Sequence, residues 1–423
     1  MFLGIDIGTT SVCAVGIDGG NTVFTETLPN DSAVYGRSYE KLQSADGIYG
    51  ICKRLFDKAA SVACVESVGI SNQMHGIVYL DKSGKAVSPL ITWQDGRGNL
   101  QRKTDSYAKE LSEMTGTKLA TGYGAVTLFY DTENDQIPPQ THKICTIGDY
   151  VAMRLCNKTA SIMHESNAHS IGLFDIKNHC WNERAIKAAG MDSSLFPEVS
   201  RKVCFFGRQM RGAAVYIAAG DNQASVYGAT RDDAAVVVNI GTGSQVSVIL
   251  AEYSEAPAPC ETRPYFDGKF LITGGALCGG YAYQLLKKFY NGTGIGEVDY
   301  LQMNTLAEKA IGKPLPLFDV KFRGTRENPA ETASITGLTA ENFNAPALTL
   351  ALLKGESREL KELYGIMLKA ITPRKVLVGS GNAVRFNPVL QKIISEDFNL
   401  PLTVSACSEE AAFGAALLAA GGK

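Results

Sequence analysis

Several short stretches of this sequence combine side chains that could move a proton, read hydroxyl groups or hold phosphate. Gly220-Asp221-Asn222-Gln223 follows the apolar run 213–219 and precedes an Ala-containing stretch, ASVYGA. That pattern describes a strand end passing into a helix. An Asp there is either an N-cap or a catalytic group. As a general base it would accept a proton from a substrate hydroxyl attacking a γ-phosphate, a role worth roughly 10²–10⁴-fold in rate. Ser71-Asn72-Gln73-Met74-His75-Gly76 lies between two apolar runs, where polar side chains in a turn could read a polar ligand; a structural histidine is the plainer alternative. Thr92-Trp93-Gln94-Asp95-Gly96-Arg97 supplies a carboxylate, a guanidinium and one of only 2 Trp residues. Sugars are bound by such sets, although an Asp95–Arg97 surface pair would produce the same letters.

Two further stretches suit phosphate. Residues 3–11 read LGIDIGTTS and residues 236–244 read VVVNIGTGS, an offset of 233 residues. Each is an apolar run, a tight Gly-Thr turn and a second apolar run, the pattern of a β-hairpin. Glycine leaves the backbone N–H groups of such a turn open to a polyphosphate. One copy alone is weak evidence; two copies, each opening a half of the chain, are expected to grip a nucleotide triphosphate across a cleft. Gly379-Ser380-Gly381-Asn382 closes a third apolar run, and a Gly turn at a strand's carboxyl end is where α/β sheets place ligands.

The elements that must position these residues follow from the same periodicities. Residues 62–70 and 77–80 read as strands, and 103–114 as a polar helix. Leu353, Leu360, Leu363, Met367 and Ala370 share one face of an amphipathic helix. Alternating strands and helices predict α/β domains, and the repeat predicts two related halves, 1–218 and 219–423.

The 41 Lys+Arg against 43 Asp+Glu leave a net charge of −2, which argues against nucleic acid or an anionic membrane as partner. The longest apolar tract, 411–420, is about half a membrane span. The 10 cysteines contain no CxxC pair and are expected to be reduced and mostly buried. With no signal-peptide pattern in MFLGIDIGTTS, the expected location is cytoplasmic.

Taken in order, DIGTTS, SNQMHG, TWQDGR, GDNQA, NIGTGS and GSGNAVRFNP resemble the FGGY carbohydrate kinases, of the actin/hexokinase-like superfamily, over nearly the whole chain. Within that family TGYGAVTLFY, NAHSIGLFD and GDNQASVYG resemble the sedoheptulokinases, with xylulokinases the nearest competitor. The resemblance implies two RNase H-like domains with a central cleft, ATP and Mg²⁺ as cofactors, a small-molecule sugar as partner, and room for a homodimer. It implies Asp221 as the catalytic base, and Gln73, Met74, His75, Trp93, Asp95, Arg97 and Asn222 on the sugar side. Gly8, Thr9, Thr10 and Ser11 match the first phosphate loop, with Asp6 near the metal; Gly241, Thr242 and Gly243 match the second. Gly379, Gly381 and Asn382 match the adenosine side.

Two departures stand out. Many members carry Lys or Arg where this chain has Cys13, and many are longer, the shortfall falling mainly between Tyr283 and Val376. A non-catalytic actin-like ATP-binding module and a degenerate sugar sensor are the readings from other classes; intact Asp221 argues against the second.

Overall fold

A computed structural model describes residues 1–294, 296–325, 328 and 330–421. The chain forms two compact units. The first holds Met1–Gly228, Pro264–Gly268 and the chain from Ala411; the second holds Ala229–Arg263 and Lys269–Glu410. The division therefore follows Gly228 rather than residue 218, and it returns the C-terminal segment to the first unit.

The first unit is built on a sheet of β1 (Phe2–Ile7), β2 (Ser11–Asp18), β3 (Asn21–Pro29), β4 (Ser67–Asn72), β5 (Phe205–Arg208), β6 (Ala214–Tyr216) and β7 (Ala219–Gly220). Its order is β5-β6-β4-β1-β2-β3, with β7 also paired to β4. β1, β2 and β3 form an antiparallel meander, whereas β4 runs parallel to β1, β6 and β7. Gly19 and Gly20, at φ of 53° and 81°, make the tight turn from β2 to β3, a two-residue hairpin that needs positive φ at both positions.

The second unit repeats the plan. Its strands are β8 (Ala235–Ile240), β9 (Ser244–Leu250), β10 (Glu261–Pro264), β11 (Phe270–Ala276), β12 (Val376–Ser380) and β13 (Leu402–Val404), in the order β10-β11-β9-β8-β12-β13. Again the first three of the repeat, β8, β9 and β11, are antiparallel, and β12 joins β8 in parallel. The duplicated motif thus occupies the same place in two sheets of like topology.

The helices that matter below are α1 (Ala45–Val62), α2 (Tyr107–Thr115), α3 (Gly124–Glu133), α4 (Ile147–Leu155), α5 (Glu165–Ile171), α6 (Asp221–Ala229), α7 (Gly280–Gly292), α8 (Tyr300–Glu308), α9 (Ala345–Met367), α10 (Asn382–Arg385), α11 (Pro388–Phe398) and α12 (Glu410–Ala419). Apolar residues of α1 and α4, among them Ile48, Leu55 and Val151, share a core with Leu3, Ile5 and Val68 of the first sheet. In the second unit Leu350, Leu353, Leu360 and Met367 of α9 join Val236, Val238 and Val248. The amphipathic face expected of α9 is the buried one.

Two element expectations change. Val62 ends α1 and is exposed, so the strand read over 62–70 begins only at Ser67. The helix expected over 103–114 begins at Tyr107, because Ser106 caps it by accepting the Lys109 N–H, while the N–H groups of residues 103–105 converge on the Glu110 carboxylate. The apolar tract 411–420 falls mostly in α12, which lies directly on the first sheet. A Cβ added at Gly4 would stand 1.8 Å from the Ala412 carbonyl oxygen, and one at Gly69 would stand 1.9 Å from that of Ala415. Only glycine admits so close a helix. Of the cysteines, Cys13, Cys52, Cys145, Cys260 and Cys278 are buried, but Cys64 and Cys180 are exposed. No helix among the described residues is long and apolar enough to cross a membrane.

Candidate active site

Parallel register assembles the first unit's polar cluster. Ile7 lies opposite Asn72, and Asn72 opposite Gly220. The residues that follow these three strand ends therefore come together: Gly8-Thr9 after β1, Gln73-Met74-His75 after β4, Asp221-Asn222 after β7. Carboxyl ends of parallel strands are the usual ligand-binding edge of α/β sheets.

Asp221 opens α6 and its Oδ1 accepts the Asn222 N–H at 2.7 Å. Both readings of this residue meet here, since it stands at a helix start and also on the ligand edge, half-buried. Gly220 makes room beside it. A Cβ there would lie 2.8 Å from Gln223 Oε1 and 3.0 Å from Met74 Sδ, so Met74 packs against the approach to Asp221. Ser166 Oγ accepts the Gly220 N–H at 3.0 Å, and Asn167 Nδ2 donates to Asn72 Oδ1 at 3.1 Å and to the Ala218 carbonyl at 3.2 Å. The side chains of α5 thus brace both strand ends from below.

His75 has a φ of 75°, an uncommon conformation for a residue with a side chain. Ser170 holds it there: its Oγ accepts the His75 N–H at 3.2 Å, and its carbonyl lies 2.6 Å from Nδ1. A carbonyl only accepts, so Nδ1 carries the proton in this contact. The ring stacks on Tyr123 with centroids 4.4 Å apart.

Thr9 ties the first turn to the sugar-side residues expected from the sequence. Its hydroxyl donates to Gln73 Oε1 at 3.2 Å and accepts Trp93 Nε1 at 2.9 Å, while its carbonyl accepts Gln43 Nε2 at 2.8 Å. Gln73 in turn donates to Gln43 Oε1 at 2.9 Å. Gln73 is therefore a buried strut, while Trp93 is 45% exposed and offers a ring face. Gly8 closes the turn by donating to the Ser11 carbonyl at 3.0 Å, and Asp6 accepts Ser71 Oγ at 2.7 Å. Thr10 is exposed.

Asp95 and Arg97 are not a surface pair. Asp95 is fully buried, with Oδ1 accepting Arg97 Nε at 2.7 Å and Oδ2 accepting the Lys41 N–H at 3.1 Å. Arg97 Nη1 reaches Asp131 at 2.6 Å, and Tyr79 donates to the same carboxylate. Burial works against the Arg97 charge, yet the hydrogen bonds and charges of Asp95 and Asp131 hold its pKa above the ordinary value. Asp95 and Arg97 thus tie the loop that carries Trp93 to Asp131 of α3. Gln43, Tyr123 and Ser170 belong to the cluster; Tyr123 and Ser170 lie in the stretches TGYGAVTLFY and NAHSIGLFD, whereas Gln43 carries no motif.

Cys13 lies opposite Asp6 in the hairpin and packs with Ala412, Ala416 and Leu417. This apolar neighbourhood with α12 accounts for its burial.

The second unit's turn is held differently. Gly279 and Tyr281 N–H donate to the Thr242 carbonyl and Gly280 N–H to that of Gly241, which fastens the turn to the start of α7. Beside it opens a cavity of about 550 Å³. Gly241, Thr242, Gly381 and Asn382 line it, as do Tyr283, Tyr300 and Asn304, Leu353 and Glu356 of α9, and Phe386. Gly381, at φ 83°, passes so close to β8 that a Cβ would stand 2.5 Å from the Ile240 carbonyl oxygen. Gly243 and Gly379 are closely packed: a Cβ would lie 3.0 Å from the Ala276 carbonyl oxygen in the first case and 2.8 Å from Val384 Cγ1 in the second.

Two units of one topology, a carboxylate on the ligand edge of one and a glycine-walled cavity in the other, agree with what family models find in the sequence. Residues 1–238 match the N-terminal domain of the FGGY family of carbohydrate kinases, and residues 236–422 its C-terminal domain. The chain belongs to that family. It is a carbohydrate kinase. It is 29% identical to the sedoheptulokinase of Mus musculus over 98% of this chain and 96% of that one. To a xylulose kinase of Staphylococcus epidermidis it is 24% identical, over 99% and 87%. Among solved structures it is similar to glycerol kinase from Plasmodium falciparum, determined with ADP, at a TM-score of 0.85 and 21% identity over 99% and 88% of the two chains. That likeness supports the mixed α/β two-domain fold of the FGGY kinases.

Proposed function

We propose that this kinase transfers the γ-phosphate of ATP to a primary hydroxyl of a ketose, sedoheptulose first among them. The observation that carries the reading is the register that sets Asp221 beside Gln73-Met74-His75 at one sheet edge. Asp221 accepts the proton of the attacking hydroxyl. His75 Nε2 and Asn222 hydrogen-bond neighbouring hydroxyls, Trp93 and Met74 cover the C–H face, and Asp95 with Arg97 keeps Trp93 in place. The cavity of the second unit takes ATP, with Gly241, Thr242, Gly381 and Asn382 against it. Phosphoryl transfer asks for little beyond such positioning, charge neutralisation and a base.

Mg²⁺ fits the residues present. Among the described residues no three His, Cys, Asp or Glu side chains are grouped to hold a metal, and Mg²⁺ on a nucleotide needs only one or two carboxylates beside phosphate and water. Asp6, half-buried and oriented by Ser71, is the residue that would hold it. When bound, the ion neutralises phosphate charge. The exposed thiols of Cys64 and Cys180 suit a reducing cytoplasm, the compartment where ATP is available.

Preference for sedoheptulose is supported by the likeness to the mouse enzyme over nearly both chains. D-xylulose is the second substrate to weigh, on the likeness to the staphylococcal xylulose kinase. A coupled ADP-release assay over sedoheptulose, D-xylulose, L-xylulose and ribulose tests the reading. Sedoheptulose should give the highest kcat/KM; a higher value for D-xylulose would move the assignment, and no stimulation by any sugar would end it.

A further inference from the structure

Two aromatic rings on the cavity wall of the second unit are left out of its core. Tyr300, the first residue of α8, is 45% exposed, and Phe386, just after α10, is 69% exposed. Both line the cavity, and neither joins the buried cluster that packs α7, α8, α9 and α11 on the sheet. One exposed ring is ordinary, but two on the wall of one cavity make a binding surface. Both rings are anchored. Tyr283 and Lys287, one turn apart on α7, meet Tyr300, with the two tyrosine rings stacked at 5.8 Å between centroids and Lys287 Nζ 4.4 Å from the Tyr300 centroid. Asn304, one turn further along α8, accepts from Tyr283 Oη at 2.9 Å and donates to the Phe386 carbonyl at 3.1 Å. One amide therefore ties the residue stacked on Tyr300 to the backbone of Phe386.

Ring faces suit a nucleobase, and stacking is tolerant because every base has a π-face. Bases are told apart at their edges, by fixed donors and acceptors. The amides that adjoin the two rings are already committed: Asn304 in the two bonds above, and Asn387 through Oδ1, which accepts the Leu390 N–H at 3.0 Å and caps α11. Gln284, exposed on α7 at the cavity wall, has an amide that can turn to offer a donor or an acceptor. We propose that Tyr300 and Phe386 hold the nucleobase by its faces and leave its edge unread, so that the enzyme takes GTP as a phosphoryl donor as well as ATP. The transfer is the one proposed for ATP: the substrate oxygen bonds to the γ-phosphorus, the bond to the β–γ bridging oxygen breaks, GDP leaves, and the hydroxyl proton passes to Asp221. The proposal rests on the reading that a nucleotide occupies this cavity, and it adds a second donor.

Steady-state kinetics with both donors tests it. GTP should support sugar phosphorylation with a kcat/KM within about tenfold of that for ATP; a wider gap would mean that an edge is read, and would overturn the proposal. Tyr300→Leu, which removes the ring, should raise KM for ATP and GTP together, about 5- to 100-fold. Tyr300→Phe, which keeps the ring, should stay within about threefold of wild type for both donors. Neither variant should change KM for the sugar. Tripolyphosphate, which has the phosphates and no base, should inhibit wild type and Tyr300→Leu with the same Ki, and this excludes collapse of the cavity as the cause. An unchanged KM for ATP in Tyr300→Leu, or a Ki for tripolyphosphate that rises in step with KM, would overturn the proposal. Photolabelling of the wild-type protein with 8-azido-ATP tells this failure from that of the underlying reading. Label recovered only outside the second unit loses both, whereas label on the cavity wall with KM unchanged in Tyr300→Leu loses only the proposal.

Discussion

The two glycine turns share a backbone and differ in what surrounds them. Each joins the first two strands of an antiparallel meander, and each stands beside a parallel fourth strand whose Ser faces the residue two before the first glycine: Ser71 meets Asp6, and Ser380 meets Asn239 at 2.8 Å. In the first unit side chains join the backbone in holding the turn, through Thr9, Gln73, Gln43 and Trp93. In the second, backbone bonds to α7 hold it, beside the cavity. One carries a carboxylate and the other an amide. The topology repeats and the side chains differ, and the proposed function gives proton transfer and hydroxyl recognition to the first unit and nucleotide to the second.

The strongest way to break this division is to remove the base. Asp221→Asn should lower kcat roughly 10²–10⁴-fold while KM for ATP stays near wild type, because Asn can still cap α6. Steady-state kinetics with the preferred ketose checks it, and full activity in the variant would leave the first unit without its proton acceptor.

Next in size is a substitution that makes one turn resemble the other. Asp6→Asn gives the first unit the residue found at position 239 in the second. Activity at low Mg²⁺ should fall about 10²-fold, with partial recovery as Mg²⁺ is raised. A Mg²⁺ titration of kcat reads this out; an unshifted curve would take Asp6 away from the metal.

A smaller effect separates what the units share. Asp149 of the first and Glu359 of the second both have carboxyls pushed up to about 7, in each case chiefly by burial. The folded protein keeps these protons to about pH 7, whereas the unfolded chain releases them near pH 4. Their contribution to stability is therefore full in acid and falls as pH rises from about 4 to about 7. Asp149→Asn should flatten that fall by ~4 kcal/mol at most, visible in thermal unfolding followed across the range. An unchanged slope would mean Asp149 is ionised where it lies.

Much of this division could be read in the sequence because it rests on local pattern. The hairpins, the strand before Gly379, the α9 stripe and the strand-to-helix step at Asp221 are all set by the chain's own periodicity and turn residues. What could not be read depends on tertiary burial. Asp95 and Arg97 have the composition of a sugar contact, but Asp131 and Tyr79, remote in sequence, make them an internal network. The cavity wall is drawn from α7, α8, α9 and α10, with no motif to join Tyr283, Asn304 and Glu356. Nor does an Ala-rich C-terminal tract announce which sheet it will cover; the glycines at 4 and 69 answer that only once the helix is seen on them.

The division of labour is tested most directly by measuring both Michaelis constants in two single variants. Trp93→Phe removes the indole N–H bond to Thr9 in the first unit. Phe386→Ala trims a 69% exposed ring at the cavity wall of the second. The account predicts that Trp93→Phe raises KM for the sugar about 3- to 10-fold and leaves KM for ATP alone, while Phe386→Ala does the reverse. If each variant shifts both constants alike, or each shifts the other unit's substrate, the assignment of sugar to the first turn and nucleotide to the second is wrong.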